Sequence, residues 1–280
     1  MTALVPPSVP PLIAPRSRWA AMLSSRFLPP ILITLLLIPA QLIFGILISF
    51  QGTALAILVS MGGEIVLGRM VLGHWPNLAS SYMSGISVGI LLRSPFLWPY
   101  ALASLLSTSS KYAVRFKGRH LFNPSNFGVS ALVLLAPNAT SILGNQWGNH
   151  LGPMILIWVI GIAIAWRARR LDVSLAYVAA FVVFASARSV MDGTPWLAAV
   201  APITGPMYQL YICLMITDPR TTLSTPRGRV VVVVVVALVE MLMRQFDVVN
   251  APFYALFVVG VPALALELWW KDRKRTRPAG

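Results

Sequence analysis

The sequence has little cysteine, little acid and little histidine. Of its 280 residues, one is Cys, eight are Asp or Glu and three are His. The single thiol, Cys213, excludes a disulfide within the chain and an iron–sulfur cluster held by this chain alone. No two histidines share a helix face, which argues against bis-histidine haem. Walker loops, nucleophile elbows, dinucleotide fingerprints and zinc-protease motifs are missing as well, so ATPase, hydrolase and soluble dehydrogenase functions lack support, and we predict no metal site.

Apolar residues dominate what is present. They make up 57% of the chain, charged residues make up 11%, and the mean hydropathy is +0.77, values typical of an integral membrane protein. We therefore predict an all-α polytopic membrane protein with about ten transmembrane helices. The ten apolar segments lie near residues 30–50, 53–72, 79–93, 96–110, 127–143, 150–166, 173–190, 196–217, 230–246 and 251–270.

The basic residues indicate the orientation of these segments. The net charge is +14, and all but four of the 22 Lys and Arg residues fall in alternate loops or the termini, as the positive-inside rule requires of cytoplasmic segments. Their dispersal favours the lipid bilayer as partner over nucleic acid. We predict a bacterial cytoplasmic membrane protein with a flexible Pro-rich arm at 1–29, a basic tail at 271–280 and both termini in the cytoplasm. The exceptions are Arg69, Arg93, Arg188 and Arg244.

A weak internal repeat links the third segment to the eighth. Ser84-Gly85 and Thr204-Gly205 each place a hydroxyl residue before glycine, in the third member of each set of five segments. This pattern predicts two inverted five-helix repeats, at 30–143 and 150–270, with binding sites between them. Small residues that allow close helix packing explain the pattern equally well.

A polar island at 110–128 interrupts the apolar segments. Its cations, histidine and asparagines can donate many hydrogen bonds to a phosphate or to the polar edge of a ring. The island therefore predicts a cofactor site at the membrane surface, although an ordinary cytoplasmic loop has a similar composition. The donors are Lys111, Arg115, Lys117, Arg119, His120, Asn123 and Asn126.

Two motifs carry a family resemblance. Residues 118–128 read Gly-Arg-His-Leu-Phe-Asn-Pro-Ser-Asn-Phe-Gly, and Thr204-Gly205 is followed at 215–222 by Met-Ile-Thr-Asp-Pro-Arg-Thr-Thr. Together they resemble the RnfD/NqrB family across most of 50–270, and most closely its stand-alone UnbU-like branch, which is associated with enediyne biosynthesis. The resemblance implies a ten-helix membrane subunit of electron transport that carries flavin and passes electrons to a quinone or to partner subunits.

The same resemblance suggests how the flavin is held. RnfD and NqrB attach FMN through a phosphodiester to the threonine of a Ser-Gly-Ala-Thr motif after the fifth segment. Residues 137–141 here read Pro-Asn-Ala-Thr-Ser, which keeps Thr140 but not the serine and glycine. We therefore expect FMN or riboflavin to bind without a covalent bond, and attachment at Thr140 is the alternative.

The predicted flavin site lies between the loops at 117–126 and 218–222. Lys117 and Arg119 would neutralise a phosphate or a reduced flavin, and the amides and hydroxyls would bind ring and ribityl atoms. The simpler alternative is that Asn-Pro and Asp-Pro form turns and that the cations face lipid. The predicted cofactor-binding residues are Lys117, Arg119, His120, Asn123, Asn126, Thr204, Gly205, Asp218, Thr221 and Thr222.

Charged residues within apolar segments need partners or a wet cavity. Glu240 and Arg244 are four residues apart, which favours a structural ion pair. Glu64 has no such partner, because Arg69 lies about 140° further around the helix. We therefore predict that Glu64 lies on an ion, proton or quinone pathway, with a hydrogen bond to a neighbouring helix as the open alternative.

The sequence thus supports two classes of function. The first is a flavin- or quinone-dependent electron-transfer protein, either an oxidoreductase or a subunit of an oxidoreductase complex that is not catalytic alone. The second is a small-solute channel or transporter, because paired five-helix repeats around a cavity also suit permeation. A scaffold subunit of a membrane complex is a third possibility. Tyr208, Tyr211 and Trp196 suit either packing or stacking on a ring cofactor.

Overall fold

The computed structural model describes residues 28–44, 49–142 and 151–276, and within them the predicted all-α class is confirmed. Two pairs of two-residue antiparallel strands, β1 Leu92–Arg93 with β4 Ser141–Ile142 and β2 Arg115–Phe116 with β3 Arg119–His120, complete the regular structure of this part. A 3₁₀ turn occupies Ala201–Thr204 and a π turn occupies Tyr211–Met215. The eleven α-helices of the described residues are α1 Leu28–Phe44, α2 Phe50–Leu72, α3 Ala79–Leu91, α4 Trp98–Ala113, α5 Pro124–Leu135, α6 Leu151–Arg167, α7 Leu171–Asp192, α8 Trp196–Val200, α9 Pro206–Leu210, α10 Pro226–Gln245 and α11 Ala251–Thr276.

The prediction of about ten transmembrane helices is wrong for the described residues. By length and composition, α2, α7 and the Ala251–Lys274 part of α11 can cross a membrane. A fourth crossing results if Trp196–Thr204 and Met207–Met215, which are bent by 60° relative to each other, count as one span. Most of the predicted arm at 1–29, the end of the tail from 277, and His150 lie outside the described residues.

Helix length and charge explain the difference. With 13 and 12 residues, α3 and α5 measure only about 20 and 18 Å at the α-helical rise, against a hydrocarbon core of about 30 Å. The 20-residue α10 is long enough, but it carries four charged side chains. A hydropathy window averages over residues on both sides of a turn, whereas a membrane span needs its apolar residues in one continuous helix.

The helices pack in the same order in each half of the chain. In the first half, α2 packs against α3 and α4, and α4 packs against α5. In the second half, α7 packs against α8 and α10, and α10 packs against α11. Contacts between α1 and α6 and between α5 and α11 join the halves, and the main hydrophobic core draws residues from both.

Two glycines allow helices of the first half to approach closely. A Cβ atom at Gly128 of α5 would lie 2.1 Å from Ser107 Oγ and 2.2 Å from the Ala103 carbonyl oxygen of α4. A Cβ atom at Gly85 of α3 would lie 2.6 Å from Ile57 Cα of α2. The small residue of the Ser84-Gly85 pair therefore serves close packing, as in many membrane helix interfaces.

Candidate functional site

A tight hairpin forms the centre of the polar island. Strands β2 and β3 are joined by Lys117 and Gly118, which have φ values of 49° and 82°. Positive φ at both turn residues is the type I′ arrangement, whose twist matches that of paired strands. Arg115 Nη2 donates to the Gly118 carbonyl oxygen at 2.8 Å and braces the turn. The hairpin holds Arg119 and His120 beside the loop at 218–222.

Arg119 fastens the hairpin to that second loop. Its guanidinium donates to the carbonyl oxygens of Pro219 at 3.4 Å, Arg220 at 3.2 Å and Thr222 at 3.3 Å. One planar group with five N–H donors suits such a set of converging acceptors. Arg119 therefore holds two loops together that lie about one hundred residues apart in the sequence, and its donors point at the protein backbone.

Asp218 organises the 218–222 loop internally. Its carbonyl oxygen accepts the backbone N–H groups of Thr221 at 3.2 Å and Thr222 at 3.1 Å. Its carboxylate accepts the N–H of Arg220 at 3.0 Å and the amide of Asn123 at 3.3 Å. Asp218 therefore forms a turn, as the simpler alternative for the Asp-Pro step predicts, and it also connects the two loops through Asn123.

The two asparagines anchor the start of α5. Asn123 is its N-cap and accepts the N–H of Asn126 at 3.2 Å, the usual way to satisfy a free N–H at a helix start. Asn126 is 2% exposed and donates to the Phe253 carbonyl oxygen of α11 at 3.3 Å. Both amides therefore make contacts within the protein and fix α5 against α11.

A cavity opens behind these loops, between α5, α7, α10 and α11. It contains about 570 Å³ of empty space, part of which is open to solvent. The walls are mostly apolar, and the rings of Phe122 and Phe257 meet at one side with centroids 4.5 Å apart. Its polar lining residues are Asn123, Asn126, Thr221, Thr222 and Arg229. Four of the predicted cofactor-binding residues thus share one cavity.

Arg229 is the lining residue that sequence reasoning missed. Its guanidinium donates from Nε and Nη2 to Asp172 Oδ2 at 3.0 and 2.7 Å, and from Nη1 to the Ser224 carbonyl oxygen at 3.2 Å. Only 9% of its side chain is exposed. Arg229 directly precedes the valine run at 230–236, unlike the other loop cations, and this position was the sequence signal that could have identified it.

Lys117 and His120, like Arg119 and Asp218, lie beside the cavity without lining it. Lys117 donates to Asp272 near the end of α11 at 2.6 Å, an exposed ion pair that ties the hairpin to that helix. His120 is buried, and burial lowers its pKa below the usual 6.5. The Asp218 carboxylate opposes this lowering of the pKa, whereas nearby cations add to it: Arg220, Lys111 and Arg115.

The lowered pKa of His120 predicts a pH-dependent stability. The unfolded chain binds a proton at His120 below about pH 6.5, while the folded protein resists it, so stability falls as the pH drops through this range. We expect His120→Gln to reduce this fall below pH 6.5, by no more than the roughly 1.4 kcal/mol per pH unit that one proton can contribute. Unfolding in detergent at a series of pH values measures it. His74→Gln, at an exposed histidine, should keep the wild-type slope, and an unchanged slope in His120→Gln would contradict the prediction.

Three predicted residues lie away from the cavity. The Thr140 hydroxyl donates to the Ala136 carbonyl oxygen at 2.8 Å and is buried beyond the far end of α5, about 18 Å along that helix from Asn123. Thr204 and Gly205 lie where the 3₁₀ turn meets α9, and the Thr204 hydroxyl donates to the Ala201 carbonyl oxygen at 2.8 Å. The structure does not bring these residues to the Asn123 loop.

Glu64 has partners on a neighbouring helix. Lys111 Nζ of α4 donates to its carboxylate at 2.9 Å, and the Tyr112 hydroxyl donates at 3.0 Å. Glu64 therefore forms hydrogen bonds to a neighbouring helix, which was the alternative to a pathway role. A pathway role for Glu64 stays a prediction, and it would have to include this buried ion pair.

The predicted ion pair between Glu240 and Arg244 is confirmed, with Arg244 Nε 2.9 Å from the carboxylate. The hydroxyls of Tyr177 and Tyr208 also donate to Glu240, and Arg244 donates to the Tyr208 hydroxyl. Tyr208 and Tyr211 are buried, and their rings pack edge-on against each other. Of the two roles considered for these rings, packing and stacking on a ring cofactor, this arrangement is packing.

Comparison with known proteins adds no family to this picture. Neither a protein-family model nor a curated protein sequence matches the chain. Within 28–44, 49–142 and 151–276, His, Cys, Asp and Glu side chains form no group of three that could hold a metal ion. The RnfD/NqrB resemblance therefore stays a prediction from motifs, and a proposed function has to be argued from the cavity.

Proposed function

We propose that the protein is an RnfD/NqrB-like electron-transfer protein of the bacterial cytoplasmic membrane. It binds FMN or riboflavin without a covalent bond and relays electrons to a quinone or a partner protein. The observation that carries this proposal is that Asn123, Asn126, Thr221 and Thr222, expected from the sequence to bind flavin, line one cavity although they come from two distant loops. The loops carry the basic residues, so the site faces the cytoplasm under the positive-inside rule.

The lining of the cavity fits the chemistry of a flavin. The apolar walls and the rings of Phe122 and Phe257 suit the faces of a tricyclic ring. The amides of Asn123 and Asn126 each use one N–H within the protein, so the second N–H of each remains for the polar edge of the ring. A bound flavin supplies the redox chemistry, and the chain holds it and excludes water.

Arg229 supplies the positive charge in this proposal. It lines the cavity directly, whereas Arg119 donates to backbone carbonyl oxygens and Lys117 to Asp272. Asp172 and the Ser224 carbonyl oxygen use three of its five N–H groups, so one N–H on Nη1 and one on Nη2 remain to bind a phosphate or an anionic reduced flavin. Arg119 and Lys117 then hold the loops in position and do not contact the ligand.

Two finer parts of the proposal have structural support of their own. Thr140 is buried and far along α5, which supports non-covalent binding over attachment at that residue. The matching order of helix contacts in the two halves supports the predicted inverted repeats at 30–143 and 150–270, with the cavity between α5 of the first and α7, α10 and α11 of the second. Glu64 would then lie on an ion or quinone pathway within the first repeat.

Filling the cavity tests the proposal. A Cβ atom at Gly260, which lines the cavity, would meet only the flexible end of Leu256 at 3.3 Å, so Gly260→Leu adds a side chain without a backbone clash. We expect wild-type protein purified from riboflavin-supplied cells to release flavin on acid precipitation, and Gly260→Leu to hold at least about tenfold less. The absorbance spectrum of the supernatant measures both.

The matched control is Gly62→Leu on α2, because a Cβ atom at Gly62 meets nothing within 4 Å. This variant should keep the flavin of the wild type. Full flavin occupancy in a folded Gly260→Leu variant would reject the cavity as the site. If the wild type releases no flavin and its intact mass shows no FMN increment, electron transfer by flavin is rejected, and a channel or scaffold becomes the better hypothesis.

A further inference from the structure

Two arginines lie at the opposite end of the bundle from the basic loops. Arg188 is one turn before the end of α7, and Arg244 is one residue before the end of α10. Together with Arg69 and Arg93, they are the four cations that lie outside the basic loops and termini of the charge pattern. A cation in this region is costly unless it is paired or faces a polar ligand, so each of the two needs a partner.

Both arginines line one groove between α7 and α10. The groove contains about 230 Å³ of empty space, part of it open to the surroundings. Its apolar residues lie toward the middle of the bundle and its arginines toward the helix ends, a polarity that follows the depth of a membrane leaflet. The lining residues are Phe181, Phe184, Ala185 and Arg188 of α7 and Ala237, Glu240, Met241 and Arg244 of α10.

The charges around the groove leave one cation without an anion. Glu240 is 1% exposed, and Arg244, Tyr177 and Tyr208 all donate to its carboxylate, so Arg244 and Glu240 neutralise each other. Arg188 has no hydrogen-bond or ion-pair partner in the part of the chain that the structure describes. The nearest acid on its own helix, Asp192, accepts a hydrogen bond from the Gln245 amide at 2.7 Å.

Arg244 also keeps donors for a further ligand. Its Nε donates to Glu240 and its Nη2 to Tyr208, and 23% of its side chain is exposed. A guanidinium has five N–H groups, and arginine pairs well with phosphate oxygens through two of them at once. The outer end of the groove therefore offers two guanidinium groups above an apolar floor.

We propose that this groove binds an anionic phospholipid of the surrounding bilayer. Arg188 and the free edge of Arg244 hold the phosphate, and the first part of an acyl chain lies against Phe181, Phe184 and Met241. A soluble anion would use the arginines but not the apolar floor that continues toward the membrane centre, whereas a lipid uses both. This site is separate from the flavin cavity and does not depend on it.

Native mass spectrometry of the full chain tests the proposal. Protein in detergent is mixed with equal amounts of phosphatidylglycerol and phosphatidylcholine, and retained lipids are counted. The basic loops also attract anionic lipid, so the readout is the difference between variants. We expect Arg188→Gln to retain one phosphatidylglycerol fewer than the wild type at low lipid concentration, with at least tenfold weaker binding of that lipid.

Arg93→Gln is the matched control, because Arg93 is an exposed cation that does not line the groove. It should bind phosphatidylglycerol like the wild type. The proposal is overturned if Arg188→Gln, folded as judged by its melting temperature, keeps the wild-type lipid count. It is also overturned if inorganic phosphate displaces the lipid that Arg188 retains, because that result assigns the groove to a soluble anion.

Discussion

Lys111→Met is expected to lower the free energy of unfolding by about 3–5 kcal/mol, because it leaves the Glu64 carboxylate buried without its counter-charge. The two side chains are 6% and 10% exposed, and Lys111 Nζ lies 2.9 Å from the carboxylate. One hydrogen bond from Tyr112 remains in the variant and does not replace the lost charge. Reversible unfolding in mixed micelles measures the loss.

The double variant Glu64→Gln, Lys111→Met separates structure from function. Replacing both members of a buried ion pair is often nearly neutral for stability, so we expect its free energy of unfolding to return to within about 1 kcal/mol of the wild type. If this folded protein also keeps full electron transfer to a quinone analogue, Glu64 is not part of a pathway. A Lys111→Met variant as stable as the wild type would mean that Glu64 is not buried as a charged group.

Gly128→Ala is expected to cost at least about 3 kcal/mol, at the upper end of the range for overpacked cores. The added methyl group would lie 2.1 Å from Ser107 Oγ and 2.2 Å from the Ala103 carbonyl oxygen, and the second of these is backbone that cannot rotate away. The helices α4 and α5 must therefore separate. The same unfolding assay measures the change.

Gly62→Ala provides the comparison for Gly128→Ala. It makes the same chemical change in α2, where a Cβ atom meets nothing within 4 Å, and alanine favours a helix over glycine by up to about 1 kcal/mol. We expect it to be neutral or stabilising. A Gly128→Ala variant within 1 kcal/mol of the wild type would show that α4 and α5 do not pack as closely as described.

The sequence predicted the loops of the candidate site better than the helices that enclose it. Asn123 and Asp218 are turn formers beside apolar segments, and the charge pattern placed both loops at one membrane face, so their proximity followed from local rules. The role of Arg229 was not predicted because its partner Asp172 lies on another helix, 57 residues away in the sequence. Glu64 had seemed unpaired for the same reason, since Lys111 is 47 residues away.

The number of spans was overestimated for a different physical reason. Hydropathy reports how apolar a stretch is, but a helix ends where its backbone hydrogen bonds end. The Gly205-Pro206 step starts a new helix inside the apolar stretch 196–217, and α5 ends at Leu135, before Pro137 and short of the predicted end at 143. Thr140 illustrates the same limit, because only the length of α5 shows that it lies far from Asn123.

The contacts around the cavity also determine when it can form during protein synthesis. The hairpin at 115–120 leaves the ribosome long before its partners, because Arg119 needs the backbone of residues 219–222, Asn126 needs Phe253, and Lys117 needs Asp272. The early loop must therefore wait for its partners until α11 has been made. The cavity is then completed late in biogenesis, and a chain that stops before α11 lacks one of its walls.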